Sequence, residues 1–278
     1  VSVEGDAHPN FKQVLAKYVG RGDLVLNLSV SVSSHEVLAW CQKHGALYLD
    51  TCIEPWAGGY TDPALTPSQR SNYALREEVL ELRKTWTNGP TAVVTHGANP
   101  GLVSHFVKQA LLDLASGQNR GGEAPTDAAG WATLARDLGV SLIQISERDT
   151  QATDRPKRPN EFVNTWSIDG FVDELMQPSE LSLGTAEPGK PPGSHWHRPR
   201  CGSVYLHRPG GATFARSWLP SSGGFQGLLM THDEVFSIVT VQLIVSPTFV
   251  SWTSFTPAMR SPTFPAAIST VCSTSLST

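Results

Sequence analysis

The chain has 278 residues, 40% of them apolar, enough for one large domain or two small ones. A net charge of -4 and a pI near 6.1 argue against a nucleic-acid binder. No apolar run of about 18 residues occurs, so no membrane span is expected.

Cys41, Cys52, Cys201 and Cys272 lie far apart with no CxxC pair. That spacing suits buried thiols in a reducing compartment, and a cytoplasmic location is the expectation. The chain opens on Val1 with no signal-peptide pattern, and a fragment is expected.

Residues 23–30, "DLVLNLSV", read as a buried strand ending in polar residues. Ser33 and Glu36 then have capping-box spacing, and Gly45 supplies a helix stop. Residues 46–50 form a second strand. Thr66, Pro67 and Gln69 mark a helix start, and that helix is expected to run to about Trp86. "TAVVT" is a third strand. Asn99 is expected to cap the next helix with Pro100 at its first position, its apolar stripe running through Val103, Phe106, Val107, Ala110, Leu111 and Leu114.

Thr126 is expected to cap a helix carrying Trp131, Leu134 and Leu138, ahead of the strand "VSLIQISE". From about Arg155 the pattern turns strand-rich. "NEFVNTW" reads as a strand, residues 203–208 and 213–218 as a hairpin around Pro209-Gly210-Gly211, and "FQGLLMTHDE" as a further strand. Residues 236–278 have Arg260 as their one charged residue and no helical or alternating period. A shift of reading frame would produce so abrupt a change, whereas a disordered tail is usually richer in charge.

Strand-helix alternation in the first half argues a parallel doubly wound sheet, whose ligands sit beyond the carboxyl ends of the strands. Three segments fall there: "NLSVSVSS" (residues 27–34), "DTCIEPW" (50–56) and "THGANPG" (95–101). Glycines at 97 and 101 allow close backbone approach, and the amides after Asn99 point outward. The second half reads as an α+β domain, and clefts between domains of this kind favour ligands. "HWH" at residues 195–197, with Cys201 following, reads as plain loop, and no metal is expected.

"THGANPGLVSHFVKQALLDLA", "YLDTCIEPW", "ISERDTQ" and "FVNTWSIDGFVDELMQPSELSLGT" together resemble bacterial homospermidine synthase, an NAD-dependent enzyme related to saccharopine dehydrogenases. The resemblance covers about residues 1–235. It implies an α/β fold: an incomplete Rossmann-type parallel sheet domain followed by an α+β domain. The expected division is a partial NAD-binding domain over 1–150, a substrate or dimerisation domain over 151–235, and an atypical tail over 236–278. A cytoplasmic homodimer is implied, with putrescine and related polyamines as partners and neither nucleic acid nor membrane.

The implied reaction moves an aminobutyl group from one putrescine to a second putrescine, or to spermidine. It passes through an imine, releases ammonia and uses NAD as an internal hydride carrier. A flexible dication needs carboxylates at spaced points and an aromatic face. The resemblance assigns catalytic roles to Trp166, Asn99, Glu174 and His232, and substrate binding to Glu54 and Glu147. NAD is expected at Asn27, Leu28, Ser29, Thr51, Cys52, Gly97, Ala98, Asn99 and Pro100. Each has a plainer reading: Glu54 as a solvated loop acid, Glu147 as half of a surface pair with Arg148, Trp166 as core, His232 as a buried histidine, Glu174 as an exposed helix acid.

The sequence departs from the family pattern in three places. The GxGxxG fingerprint and the ribose-binding acid are absent and are expected upstream of Val1. Ser31 stands where a pocket carboxylate is expected, and the tail replaces the family's C-terminal part. The alternatives are a non-catalytic fragment or another polyamine dehydrogenase of the saccharopine dehydrogenase type. An enzyme of that second kind acting on a carboxylated substrate would need an Arg or Lys pair, where these motifs carry acids.

Overall fold

The computed structural model describes residues 10–147, 154–164, 166–183, 189–198, 202–219, 223–238, 248–253 and 271–276. The chain divides into two units, Val1–Val103 and Ser104–Thr278. The strand expected near 140 belongs to the second of them and pairs into its sheet.

The first unit begins with helix α1 (Phe11–Tyr18), followed by β1 (Leu24–Asn27), α2 (Ser34–His44), β2 (Leu47–Asp50), α3 (Asn72–Lys84) and β3 (Ala92–Val93). The three strands form one parallel sheet in the order β1-β2-β3, with Leu24 opposite Leu47 and Leu49 opposite Val93. Side chains alternate between faces, as a pleat requires. Tyr48 and Asp50 point into a core built with Val37, Leu38, Trp40 and Cys41 of α2 and Val79 of α3. The opposite face, with Leu24, Leu26, Leu47 and Val93, is exposed.

Local signals set the helix ends. The Ser33 hydroxyl accepts from the Glu36 amide at 3.2 Å, and Gly45 closes α2 at φ 75°. A cap of this kind contributes about 1 kcal/mol. The expected start at Thr66 differs. Thr66 and Gln69 do bond reciprocally, but Ser71 accepts from the Ala74 amide at 3.2 Å and starts α3 at Asn72. The helix ends at Lys84, short of Trp86.

Helix α4 (Leu102–Gly117) begins two residues after Pro100. The Gly97 amide donates to the Pro100 carbonyl at 2.6 Å, and the Leu102 amide donates to the Gly97 carbonyl at 3.1 Å. These bonds close a loop between Gly97 and Gly101, so Asn99 and Pro100 lie in a turn ahead of the helix rather than in its first turn. Asp127, not Thr126, caps α5 (Ala128–Asp137), its carboxylate accepting from the Gly130 amide at 2.7 Å.

The second unit contains α5, β4 (Val140–Glu147), α6 (Ile168–Met176), β5 (Pro178–Ser182), β6 (Ser194–Trp196), β7 (Ser203–Pro209), β8 (Phe214–Leu219), β9 (Gly223–Leu228), α7 (Glu234–Ser237), β10 (Thr248–Thr253) and β11 (Val271–Leu276). One sheet holds all eight strands, with β10 parallel to β4 and the other pairs antiparallel. The expected hairpin is replaced by two separate pairings. Strand β7 pairs with β5 and β6, and β8 pairs with β9. A 3-10 turn at Gly210–Ala212 separates them, where the Gly210 amide donates to the Gln177 carbonyl. His195 and Trp196 of the "HWH" segment lie in β6 rather than loop, and Cys201 lies outside the described residues.

Candidate functional site

In the first unit the carboxyl ends of all three strands meet around one buried carboxylate. The Asn27 amide donates to the Tyr48 hydroxyl at 3.2 Å, and that hydroxyl donates to Asp50 Oδ2 at 2.8 Å. Asp50 Oδ1 accepts from the Thr95 amide at 2.6 Å, and its carbonyl accepts from the His96 amide at 3.0 Å. Burial pushes the Asp50 carboxyl up to about 6, against the pull of the Thr95, Tyr48 and Ser34 hydrogen bonds. Burial, together with the Asp50 charge, also raises the Tyr48 phenol.

Backbone at these strand ends is unusual. Ser31 and Thr95 hold left-handed φ values of 59° and 55°, uncommon without glycine. Gly97 packs directly on the end of β2, and a Cβ there would stand 2.4 Å from the Thr51 carbonyl oxygen. Gly101 holds φ 128°. Leu28, Ser29 and Ala98 are exposed, Thr51, Cys52, Gly97 and Pro100 are half-buried, and Asn99 is buried. The Ser29 amide donates to Asn27 Oδ1 at 3.2 Å, which turns the chain after β1.

Glu54 lies on the loop after β2. Its amide donates to the Ser34 hydroxyl at 3.1 Å, and that hydroxyl donates to the Cys52 carbonyl at 3.2 Å. Helix α2 is thereby stapled to this loop. The carboxylate lines a cavity of about 210 Å3 together with His35, Trp56, Tyr60, Arg70 and Glu78.

In the second unit the structure brings Glu174 and His232 together. His232 Nε2 lies 3.3 Å from Glu174 Oε2, and its Nδ1 lies 3.5 Å from Glu234 Oε1. Burial opposes charge on the imidazole, but Glu174 and Glu234 more than offset it and hold its pKa well above 6.5. Two carboxylate side chains thus flank one buried imidazole.

Trp166 stands in a bend just before α6, not in a strand. Ser167 caps that helix by accepting from the Gly170 amide at 3.0 Å, and this ends any extended run. The indole is 39% exposed and meets Phe171 edge-on, with centroids 6.1 Å apart. Glu147 ends β4, and its side chain lies outside the described residues. Among the described residues, no group of three or more His, Cys, Asp and Glu could hold a metal, and no helix is long and apolar enough to cross a membrane.

Sequence reasoning missed Asp50, Tyr48, Ser34 and Glu234. The available signal was period 2 in "YLD", which puts Tyr48 and Asp50 on one buried face.

Two family models match in tandem. Residues 7–93 match the saccharopine dehydrogenase NADP binding domain, and residues 97–271 match the saccharopine dehydrogenase C-terminal domain. The chain belongs to the saccharopine dehydrogenase family. Within that family it resembles homospermidine synthases. It is 48% identical over 233 residues to the one from Blastochloris viridis, a match over 82% of this chain and 49% of that protein. Against the one from Mesorhizobium japonicum, identity is 43% over 235 residues, covering 82% and 48%. The crystal structure of homospermidine synthase from Legionella pneumophila in complex with NAD aligns with a TM-score of 0.74 at 36% identity, over 92% of this chain and 55% of that one. The chain thus spans about half the length of the curated relatives it matches. The saccharopine dehydrogenase architecture accounts for the parallel first unit followed by a second unit built on a mixed sheet.

Proposed function

We propose that the protein is a homospermidine synthase, moving an aminobutyl group between putrescine molecules, or from putrescine to spermidine, with release of ammonia. The observation that carries this reading is the Glu174–His232–Glu234 cluster. A cation binds best where fixed negative charge is already desolvated and held in place. Glu174 and Glu234, bridged by His232, supply such a place for an ammonium group. Trp166 offers an exposed ring beside the same helix, and cation–π contact contributes about 0.5–2 kcal/mol.

The strand ends of the first unit fit the ring end of a dinucleotide. Leu28 and Val30 present exposed apolar surface, and Gly97 has no side chain to obstruct close approach. We assign NAD to Asn27, Leu28, Ser29, Thr51, Cys52, Gly97, Ala98, Asn99 and Pro100. NAD held by these residues would supply a hydride acceptor and donor for the diamine carbon, with no net redox change overall. Glu54 and Glu147 hold amine groups, and Glu54 does so in a cavity with the Trp56 and Tyr60 rings. His232, protonated between its carboxylates, can pass a proton to departing ammonia through Glu174. A cytoplasmic homodimer completes the reading, with the strand ends of the first unit assigned to the cofactor and the second unit to substrate.

The test is to incubate the natural protein carrying this sequence with putrescine and NAD, or with NADP as the comparison. Homospermidine and ammonia in equal amounts, with no build-up of reduced cofactor, support the reading. Reduced cofactor without homospermidine would sink it.

A further inference from the structure

Three chemically dissimilar segments meet at the strand ends; two of them, far from Asp50 in sequence, reach it within one or two hydrogen bonds, and the third follows it directly in the chain. Residues 27–29 reach it through Asn27 and the Tyr48 hydroxyl, at 3.2 and 2.8 Å. Residues 95–97 reach it directly, by the 2.6 Å bond from the Thr95 amide and the 3.0 Å bond from the His96 amide. Residues 51–54 follow it in the chain and are tied to α2 by Ser34, which touches both Cys52 and Glu54.

We propose that Asp50 is a positioning residue, a single buried carboxylate that fixes the relative geometry of the three strand-end segments. Its role as the link to the cofactor end rests on the function proposed above; its role as a hub does not.

The wiring explains the local geometry. Asp50 is wholly buried and makes no ion pair among the described residues. A carboxylate can accept from a backbone amide on one oxygen and from a phenol on the other, as Asp50 does. Thr95 is a β-branched residue held at φ 55°, which local sterics disfavour, and the bond from its amide to Asp50 Oδ1 holds that conformation. The Thr95 conformation sets the direction of the chain into Gly97, where the turn presses on Thr51. At the other side, Asn27 uses Nδ2 to reach Tyr48 and Oδ1 to accept from Ser29, so the amide plane transmits the position of Tyr48 to the turn after β1.

This arrangement makes a pattern that general destabilisation would not. Asp50→Ala removes both acceptors. Asp50→Asn keeps an oxygen for Thr95 but turns an NH2 toward the Tyr48 hydroxyl, which already accepts from Asn27. Tyr48→Phe removes the hydroxyl, and with it both its bond to Asp50 and the bond from Asn27, while leaving the Thr95 bond in place.

The experiment is amide NMR with hydrogen exchange on the full 278-residue chain and these three variants. Asp50→Ala is expected to lower exchange protection of Thr95 by about tenfold and to shift amides of residues 27–29, 51–54 and 95–101 together. Asp50→Asn and Tyr48→Phe are expected to shift residues 27–29 while leaving the protection of Thr95 near its parent value. If Asp50→Ala does not fold, the other two variants still decide. Residues 27–29 unmoved in both would overturn the proposal, as would unchanged Thr95 protection in a folded Asp50→Ala chain. Titration of the natural protein with NAD separates the two readings. If the segments respond as stated but NAD affinity is unaltered, the hub stands and the cofactor assignment fails. If they do not respond, the hub fails whatever NAD does.

Discussion

His232 Nε2 lies 3.3 Å from Glu174 Oε2, a contact between residues 58 apart in sequence. It joins α6 to the segment ahead of α7, and Glu234 completes it from the other side of the ring. The folded-state pKa of His232 lies above its ordinary value. Its contribution to stability is therefore complete below pH 6.5 and is lost as pH rises through the folded pKa. His232→Asn is expected to flatten the fall in thermal stability across that window, and Glu174→Gln to move the imidazole midpoint downward by NMR. An unchanged midpoint in Glu174→Gln would mean that the pair does not form in solution.

Asp50 gives a second slope at lower pH. Its carboxyl rises from 3.8 to about 6 on folding, so the folded state holds a proton that the unfolded state has released. Stability is complete below the unfolded value and falls as pH rises from about 4 to 6, by about 3 kcal/mol as an order of magnitude. Asp50→Asn should abolish that slope in denaturant titrations of the first unit. A slope that persists would assign the proton elsewhere.

Gly97→Ala should destabilise the first unit by about 1–3 kcal/mol, because the new methyl group meets the Thr51 carbonyl backbone rather than a flexible side chain. Gly117→Ala is the matched control. It lies at the end of α4 with nothing within 4 Å of the added methyl, and should be neutral or stabilising by up to roughly 1 kcal/mol. Equal losses in both variants would remove the packing argument.

Trp166 is exposed enough for Trp166→Leu to leave the fold intact. In the natural protein, Leu should cut kcat/KM for putrescine several-fold or more, with Phe retaining more activity than Leu. Activity equal to the parent in both variants would leave Trp166 as a packing residue on Phe171.

The caps of α2 and the change from strand-helix alternation to a strand-rich second half were legible because their signals are local; the boundary was not, since β4 pairs with β10 and β11 in the second unit. Ser33, Glu36 and Gly45 lie within one helix, and the structure uses all three as caps. Thr66 shows the limit of such signals. Its capping contacts form, but Ser71 provides a second cap five residues on and the helix starts there. Strand pairing around Gly210 was not legible, since β7 takes the distant β5 as a partner in place of β8, which pairs with the strand that follows it. Of the candidate site, the strand-end turns could be read from glycine spacing. Asp50 could not be singled out, because its meaning comes from Thr95 and Asn27, which the fold alone brings to it. Glu234 was hidden in the polar run "THDE", all of which is buried.

The central claim is that the Glu174–His232–Glu234 cluster binds the amine substrate while the strand ends of the first unit bind NAD. Steady-state kinetics of Glu174→Gln in the natural protein, with putrescine varied and NAD titrated directly, tests it. The substitution keeps the shape and removes one charge. It should raise KM for putrescine or lower kcat by about tenfold or more, equivalent to about 1.4 kcal/mol, while NAD affinity stays near the parent value. Parent-like turnover of putrescine, or a loss of NAD binding in its place, would contradict the account.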